Sequence, residues 1–353
     1  MSALPFLARL LLALAACLFF TDTAKAQRPT KPTDLVNYFT GNTTDSPRSP
    51  VGGPAIIMMG GGGEVDFTFR TRAYPIINGG DIVVIRATGT NGYQTYFSTG
   101  IVSTGALVPN SVETLVINTR AKAGYAYSVY AVERAEMVWF AGGDQSDYVN
   151  NIQGTALETA IRTAYARGAV IGGTSAGANI MSEWTYDPDG ITAIISTDAV
   201  TNPYNPAVII ATNFLGLPLG FNLICDPHFQ NRNRMGRLLT FMARLRQDAR
   251  TSEVIGVGIN EDTSLFISAT GQGVVDGSSS VFIIREDRRT TLRTQVASGQ
   301  RLIYQNLQRT KLVANDTFNF KTFLSNKAPI SLSVNATSST SESVIYAPLT
   351  SPY

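Results

Sequence analysis

The chain contains one histidine, His228, so any chemistry that needs an imidazole must pass through it. A serine hydroxyl is a weak nucleophile unless a base takes its proton. The sequence offers a serine in a suitable setting. Residues 169–181 read AVIGGTSAGANIM: an apolar run ends in two glycines, Ser175 follows within Gly173-Thr174-Ser175-Ala176-Gly177, and a helical pattern begins. In that strand–turn–helix context a G-x-S-x-G segment holds its serine on a sharp turn at the carboxyl end of a sheet. The amide of Ala176, opening the helix, is then available to a developing oxyanion. The competing reading is a glycine-rich turn that only packs a helix onto a sheet.

His228 lies in Cys225-Asp226-Pro227-His228-Phe229, between an apolar segment (219–224) and a helical pattern at 234–247. The order serine then histidine fits elbow-type hydrolases. Arg232, Arg234 and Arg237 follow closely, and the last two share a helix face. Cations are unfavourable at a helix N-terminus, so these arginines require partners. Either carboxylates of the protein neutralise them, which is expected for at least one, or they hold a carboxylate of a substrate through the guanidinium fork. A third group is Gly142-Gly143-Asp144-Gln145, again closing an apolar run. The Gly143 amide would be a second oxyanion donor and Gln145 a substrate-orienting group, unless the segment is a simple turn with Asp144 as helix cap.

These residues need a scaffold, and the sequence supplies a strand–helix alternation. Short apolar runs at 55–59, 81–87, 111–117, 135–141, 169–173 and 253–259 read as buried parallel strands. Ala156, Leu157, Ala160, Ile161 and Ala164 predict one helix, and Met235, Leu238, Leu239, Met242 and Leu245 another. Residues 263–285 read as closing hairpins. The expectation is an α/β fold with a mostly parallel sheet. Residues 55–325 form its single domain, preceded by a mostly irregular Pro/Thr/Ser-rich arm at 27–54 and followed by a Ser/Thr-rich tail at 326–353 that is of low order or a small edge element.

Lys and Arg number 28 against 26 Asp and Glu, a formal charge of +2, which leaves no basic footprint for nucleic acid. With 44% apolar and 15% charged residues the chain can bury a large core. Residues 1–26 read as a signal peptide: Arg9, an apolar run from Leu10 to Phe20, and small residues Ala24 and Ala26 before the cut. The run is short for a membrane span, so a secreted or periplasmic protein with no stable span is expected. A lipoprotein box ending at Cys17 is the alternative. Cys225 is then the only cysteine, which excludes an intrachain disulfide, and no zinc-ligand spacing is present. The Gly60–Gly63 run does not have dinucleotide-binding spacing and reads better as a sharp backbone turn beside the site.

Taken together, Gly142-Gly143-Asp144-Gln145, Gly172 to Ala178, the Asp226-x-His228-Phe229-x-x-Arg232-x-Arg234-x-x-Arg237 pattern, Gly60 to Glu64 and Gly258 to Leu265 resemble the cyanophycinase-like serine peptidases, relatives of dipeptidase E, over roughly residues 55–285. The resemblance implies a flavodoxin-like sheet of the class I glutamine-amidotransferase type, with helices on both faces and a nucleophile elbow. It implies Ser175 as nucleophile, His228 as base, Gly143 and Ala176 as oxyanion donors, and a pocket shaped by Gln145, Asp226, Arg232, Arg234 and Arg237. For the third member of the triad the acids between serine and histidine are Glu183, Asp187, Asp189, Asp198 and Asp226. The resemblance points to Asp198, with Asp226 as the alternative. The implied substrate is cyanophycin, a poly-aspartate bearing arginine side groups, or related β-aspartyl peptides. Pro227 stands where cyanophycin-cleaving members commonly carry glutamine.

The expectation is therefore a secreted serine peptidase that uses neither metal nor cofactor, acts on a peptide or polymer and pairs as a homodimer. Its rivals are an esterase with the same elbow, which leaves the arginine cluster unexplained, and a non-catalytic acidic-polymer-binding protein, which has no need of Ser175 with His228.

Overall fold

The computed structural model describes residues 27–105, 107–212, 214–219, 221–249, 251, 254–292, 296–337, 339, 345–348 and 351–353. The expected signal peptide, with Cys17, lies outside the described residues. The chain divides into a unit ending at Thr30 and a compact unit, Lys31–Tyr353. In the first, the described residues 27–30 carry no helix or strand.

The heart of the larger unit is a parallel sheet. Strands β1 (Asn37–Gly41), β2 (Ala55–Met59), β3 (Asp81–Arg86), β4 (Ser111–Val116), β5 (Met137–Phe140) and β6 (Val170–Thr174) assemble in the order β1-β4-β3-β5-β6-β2. The five strands from β4 to β2 run parallel, and β1 closes the edge antiparallel to β4. Strand side chains alternate between the two faces with a period of two, and both faces are covered, which is why these runs are apolar throughout. Val83, Ile85, Val138 and Phe140 join the core beneath the helices Ala126–Arg134, Gln145–Ile152 and Ala156–Ala166. Their neighbours Ile82, Val84, Met137 and Trp139 pack against Phe69, Tyr74, Ile77 and Phe97 on the other face. In the expected helices the apolar stripes are buried as read, apart from Ala156, which opens its helix and is exposed.

Further strands follow: β7 (Trp184–Tyr186), β8 (Ile210–Thr212), β9 (Leu223–Asp226), β10 (Ile255–Ile259), β11 (Thr263–Ser268), β12 (Gln272–Gly277), β13 (Val281–Arg285), β14 (Thr291–Leu292), β15 (Ile303–Leu312), β16 (Thr317–Asn319), β17 (Ile330–Asn335) and β18 (Tyr346–Ala347). The hairpin β11–β12 and strand β16 extend the first sheet beyond β2, all antiparallel. The remaining strands form a second sheet, in which β7, β9 and β10 are parallel and β13, β15, β17 and β18 continue antiparallel. Its outer face packs against the helix Met235–Asp248 through Leu238, Phe241 and Met242.

Two expected boundaries need correction. The mostly irregular arm at 27–54 contains β1, fully in register with β4, and belongs to the compact unit from Lys31 onward. The tail at 326–353 contributes β17 and β18, so the compact unit extends well past residue 325. β1 is an edge strand with no fully buried side chain, and β17, next to the edge strand β18, buries only Leu332 and Val334, so neither carries a continuous apolar run to betray it.

Candidate active site

Loops that leave the carboxyl ends of parallel strands carry the candidate residues, the usual place for a site in an open α/β sheet. Ser175 follows β6, Gly142 and Gly143 follow β5, the Gly60–Gly63 run follows β2, His228 follows β9, and residues 260–262 follow β10. That last loop carries the chain from the second sheet into the first, at β11.

Ser175 sits at φ 54°, ψ −118°, a conformation non-glycine residues rarely adopt. Its amide donates to the Met59 carbonyl at 3.0 Å, which ties the turn to β2. The turn closes because the helix Ala176–Asn179 starts hard against the sheet. A Cβ on Gly177 would lie 2.2 Å from the Phe140 carbonyl oxygen, so only glycine allows that approach.

The Ser175 Oγ and the His228 Nε2 are 2.7 Å apart, and the His228 Nδ1 lies 2.6 Å from the Glu261 Oε1. An ionised carboxylate only accepts, so Nδ1–H donates to Glu261, and Nε2 is left to accept the serine proton. Burial lowers the proton affinity of His228 below the ordinary histidine value. The Glu261 carboxylate opposes that shift, and Arg232 and Arg234 add to it. The imidazole is thus kept neutral and able to act as a base at neutral pH.

The expected orienter, Asp198, is not on this imidazole. It lies in the first turn of the helix Ser196–Thr201, and Glu261 occupies Nδ1 instead. Asp226, the alternative, is also committed elsewhere. Arg237 Nε and Nη2 donate to its two oxygens at 2.8 and 2.5 Å, and Arg234 Nη1 reaches it at 3.3 Å. Glu261 belongs to the Gly258–Leu265 segment, C-terminal to His228 and outside the stretch between Ser175 and His228 where the third acid is expected. Its one local signal is position: it comes directly after β10, a strand parallel to the one carrying His228.

A cleft of about 260 Å³ opens beside Ser175 and His228. Gly143, Ala176 and Gln145 line it, as do Arg232, Arg234 and Arg237. Asp226 does not line the cleft. It is 1% exposed and neutralises Arg237, so for that arginine the internal ion pair is the correct reading. Arg234, half committed to Asp226 and donating to the Pro227 carbonyl at 2.7 Å, is pushed down by burial to about 10. Arg232 is exposed, with no ion-pair partner among the described residues.

Three further features shape the cleft and its surroundings, and the first is the helix cap that the sequence offered as the alternative role for Asp144. Asp144, on the cleft wall, caps the helix Gln145–Ile152 by accepting from the Ser146 amide at 2.9 Å. Behind it, burial raises the Asp187 carboxyl and the like charges of Asp189 and Asp144 add to the rise. Asn179 also lines the cleft, with its Nδ2 on the Cys225 carbonyl at 3.3 Å and its Oδ1 unpartnered among the described residues. Cys225 itself is fully buried, and burial pushes its thiol up. Among the described residues no group of His, Cys, Asp and Glu could hold a metal ion, and no helix is long and apolar enough to cross a membrane.

The family model described as peptidase family S51 matches residues 111–274, a span that contains Gly143, Ser175, His228 and Glu261. A cyanophycinase of Synechococcus elongatus is 30% identical over 213 residues, 60% of this chain and 61% of that protein. A cyanophycinase of Geminocystis herdmanii is 31% identical over 201 residues, 54% of this chain and 65% of that protein. The chain thus spans about three fifths of the length of the curated relatives it matches. Among solved structures, a peptidase from an acI-B1 actinobacterium covers 76% of this chain and 97% of its own, at 18% identity and a TM-score of 0.48.

Proposed function

We propose that this chain, a cyanophycinase-like relative of the S51 peptidases, is an exported serine peptidase that cleaves aspartyl peptide bonds through an acyl-enzyme on Ser175. The observation that carries the reading is the 2.7 Å contact of Ser175 Oγ with the imidazole whose far nitrogen is held by Glu261. His228 takes the serine proton as Oγ attacks the scissile carbonyl, then returns it to the leaving amine. Glu261 fixes the tautomer and stabilises the imidazolium. The amides of Gly143 and Ala176 receive the oxyanion, and water, activated by the same imidazole, releases the acyl group.

The cleft supports a substrate carrying both charges. Arg232 and Arg234 suit α-carboxylates near the cut, and the Asp144 side of the wall, with Asp187 and Asp189 behind it, suits a cationic side group. A poly-aspartate bearing arginine satisfies both, so cyanophycin or a β-aspartyl-arginine peptide is the proposed substrate. The leader-like residues 1–26 support action outside the cytoplasm.

The test is incubation of the protein with cyanophycin and with β-aspartyl dipeptides, with products read by mass. Wild type is expected to release β-aspartyl-arginine, and Ser175→Ala to release none while melting at an unchanged temperature. Turnover that survives in Ser175→Ala would overturn the assignment.

A further inference from the structure

We propose that Asp262 is a positioning residue: its carboxylate latches the Gly60–Gly63 strap across the imidazole of His228 and holds base and acid in one register. The inference rests on the reading of His228 as the base.

Asp262 directly follows Glu261, at a φ of 54° that a non-glycine residue adopts at a cost. Its amide donates to the Gly61 carbonyl at 2.9 Å, and its Oδ1 accepts from the Gly63 amide at 2.6 Å. The strap is thus gripped at two points by one residue. From the other side the His228 amide donates to the Gly60 carbonyl at 2.8 Å. Between these anchors Gly61, at φ 93°, lies flat on the imidazole. A Cβ there would be 2.2 Å from the ring Cε1, so the strap can seal the ring only as bare backbone. The loop carrying Glu261 and the loop carrying His228 are therefore joined through the strap as well as through the Glu261–His228 bond. Of these contacts, only the one to Gly63 depends on the identity of side chain 262.

The charged groups around the ring are few. Glu261 faces Nδ1, Arg232 and Arg234 approach from the histidine's own loop, and Asp262 lies beyond the strap. The strap has no titratable side chain before Glu64, which is engaged by the Tyr93 hydroxyl. Burial is the largest influence on His228, so loosening the strap should hydrate the ring and raise its proton affinity. Loss of the Asp262 charge alone acts the other way. Asp262→Asn removes the charge but keeps an acceptor for Gly63 and a side chain tolerant of positive φ. Asp262→Ala removes both charge and latch.

Because His228 is the only histidine, its titration is read directly by NMR in the full-length protein, whether or not any substrate is turned over. Asp262→Ala is expected to raise the midpoint by about half a unit or more and to lower kcat about tenfold with KM unchanged. Asp262→Asn is expected to titrate at or slightly below wild type and to recover most of kcat. If Ala at positive φ prevents folding, Asp262→Gly breaks the same latch without the backbone penalty and should behave as Asp262→Ala is expected to. The proposal is overturned if the latch-breaking variants match Asp262→Asn, or if Asp262→Asn fails as they do, which would make charge the cause. Failure of the underlying reading shows separately, as hydrolysis that persists in Ser175→Ala or His228→Ala.

Discussion

Ser175, His228 and Asp262 all occupy positive φ, at 54°, 47° and 54°, each at a cost of about 1–3 kcal/mol. Three of the positive-φ residues thus lie where one hydroxyl must meet one imidazole. The state of that imidazole sets the pH dependence. Its proton affinity is lowered by burial, so the acid limb of kcat/KM should have its midpoint below 6.5. Glu261→Gln removes a group that raises the value, so the limb should move further down while the rate falls by about 10²- to 10⁴-fold. Arg232→Ala removes a group that lowers it, and the limb should move up. The sign for folding is the same as for a depressed carboxylate. The contribution is full above the unfolded value and is lost as pH falls through the folded one. A pH–rate series on the three proteins checks the midpoints, and melting temperatures across the same pH range check the folding sign; identical midpoints would refute the assignment. At the cleft wall, Asp144→Asn keeps a good helix cap but loses its charge. It should raise KM for arginine-bearing peptides several-fold more than for β-aspartyl peptides lacking arginine, measured side by side.

Among the elements, the elbow depends on the closeness of β5, β6 and the helix Ala176–Asn179. Gly177→Ala should cost about 1–3 kcal/mol by overpacking against the Phe140 carbonyl and should also shift Ser175. A drop in melting temperature together with slower phosphonate labelling would show it, and labelling at the wild-type rate would count against it. Much of this level was legible in the sequence. The runs at 55–59, 81–87 and 111–117 became β2, β3 and β4 within a residue of their expected ends, because strands buried on both faces must be apolar throughout. The short strands β1 and β17, with burial on at most one face, left no such trace. Glu261 was unread for a different reason. It reaches His228 only because β9 and β10 are parallel neighbours in a second sheet, and that pairing is set by tertiary packing rather than by local pattern. Asp198, by contrast, sits between serine and histidine in the chain but begins a helix of its own.

For the whole molecule, the two sheets meet at the loop that carries Glu261, so the integrity of the second sheet bears on the site in the first. Tyr353 is one of its fasteners. Its ring meets Phe229 and Phe282 edge-on, each at 5.7 Å, and its hydroxyl accepts from the Met235 amide at 3.0 Å. Tyr353→Ala should therefore lower the melting temperature by about 5 °C or more, as calorimetry would record; an unchanged transition would mean that this contact contributes little. The position of Cys225 has a practical consequence as well. Its sulfur is enclosed on β9 and held as an unreactive thiol. Alkylating agents and mild oxidants, which silence hydrolases built around a sulfur nucleophile, should leave this residue untouched, and inhibition by iodoacetamide would have to come from somewhere other than the folded interior.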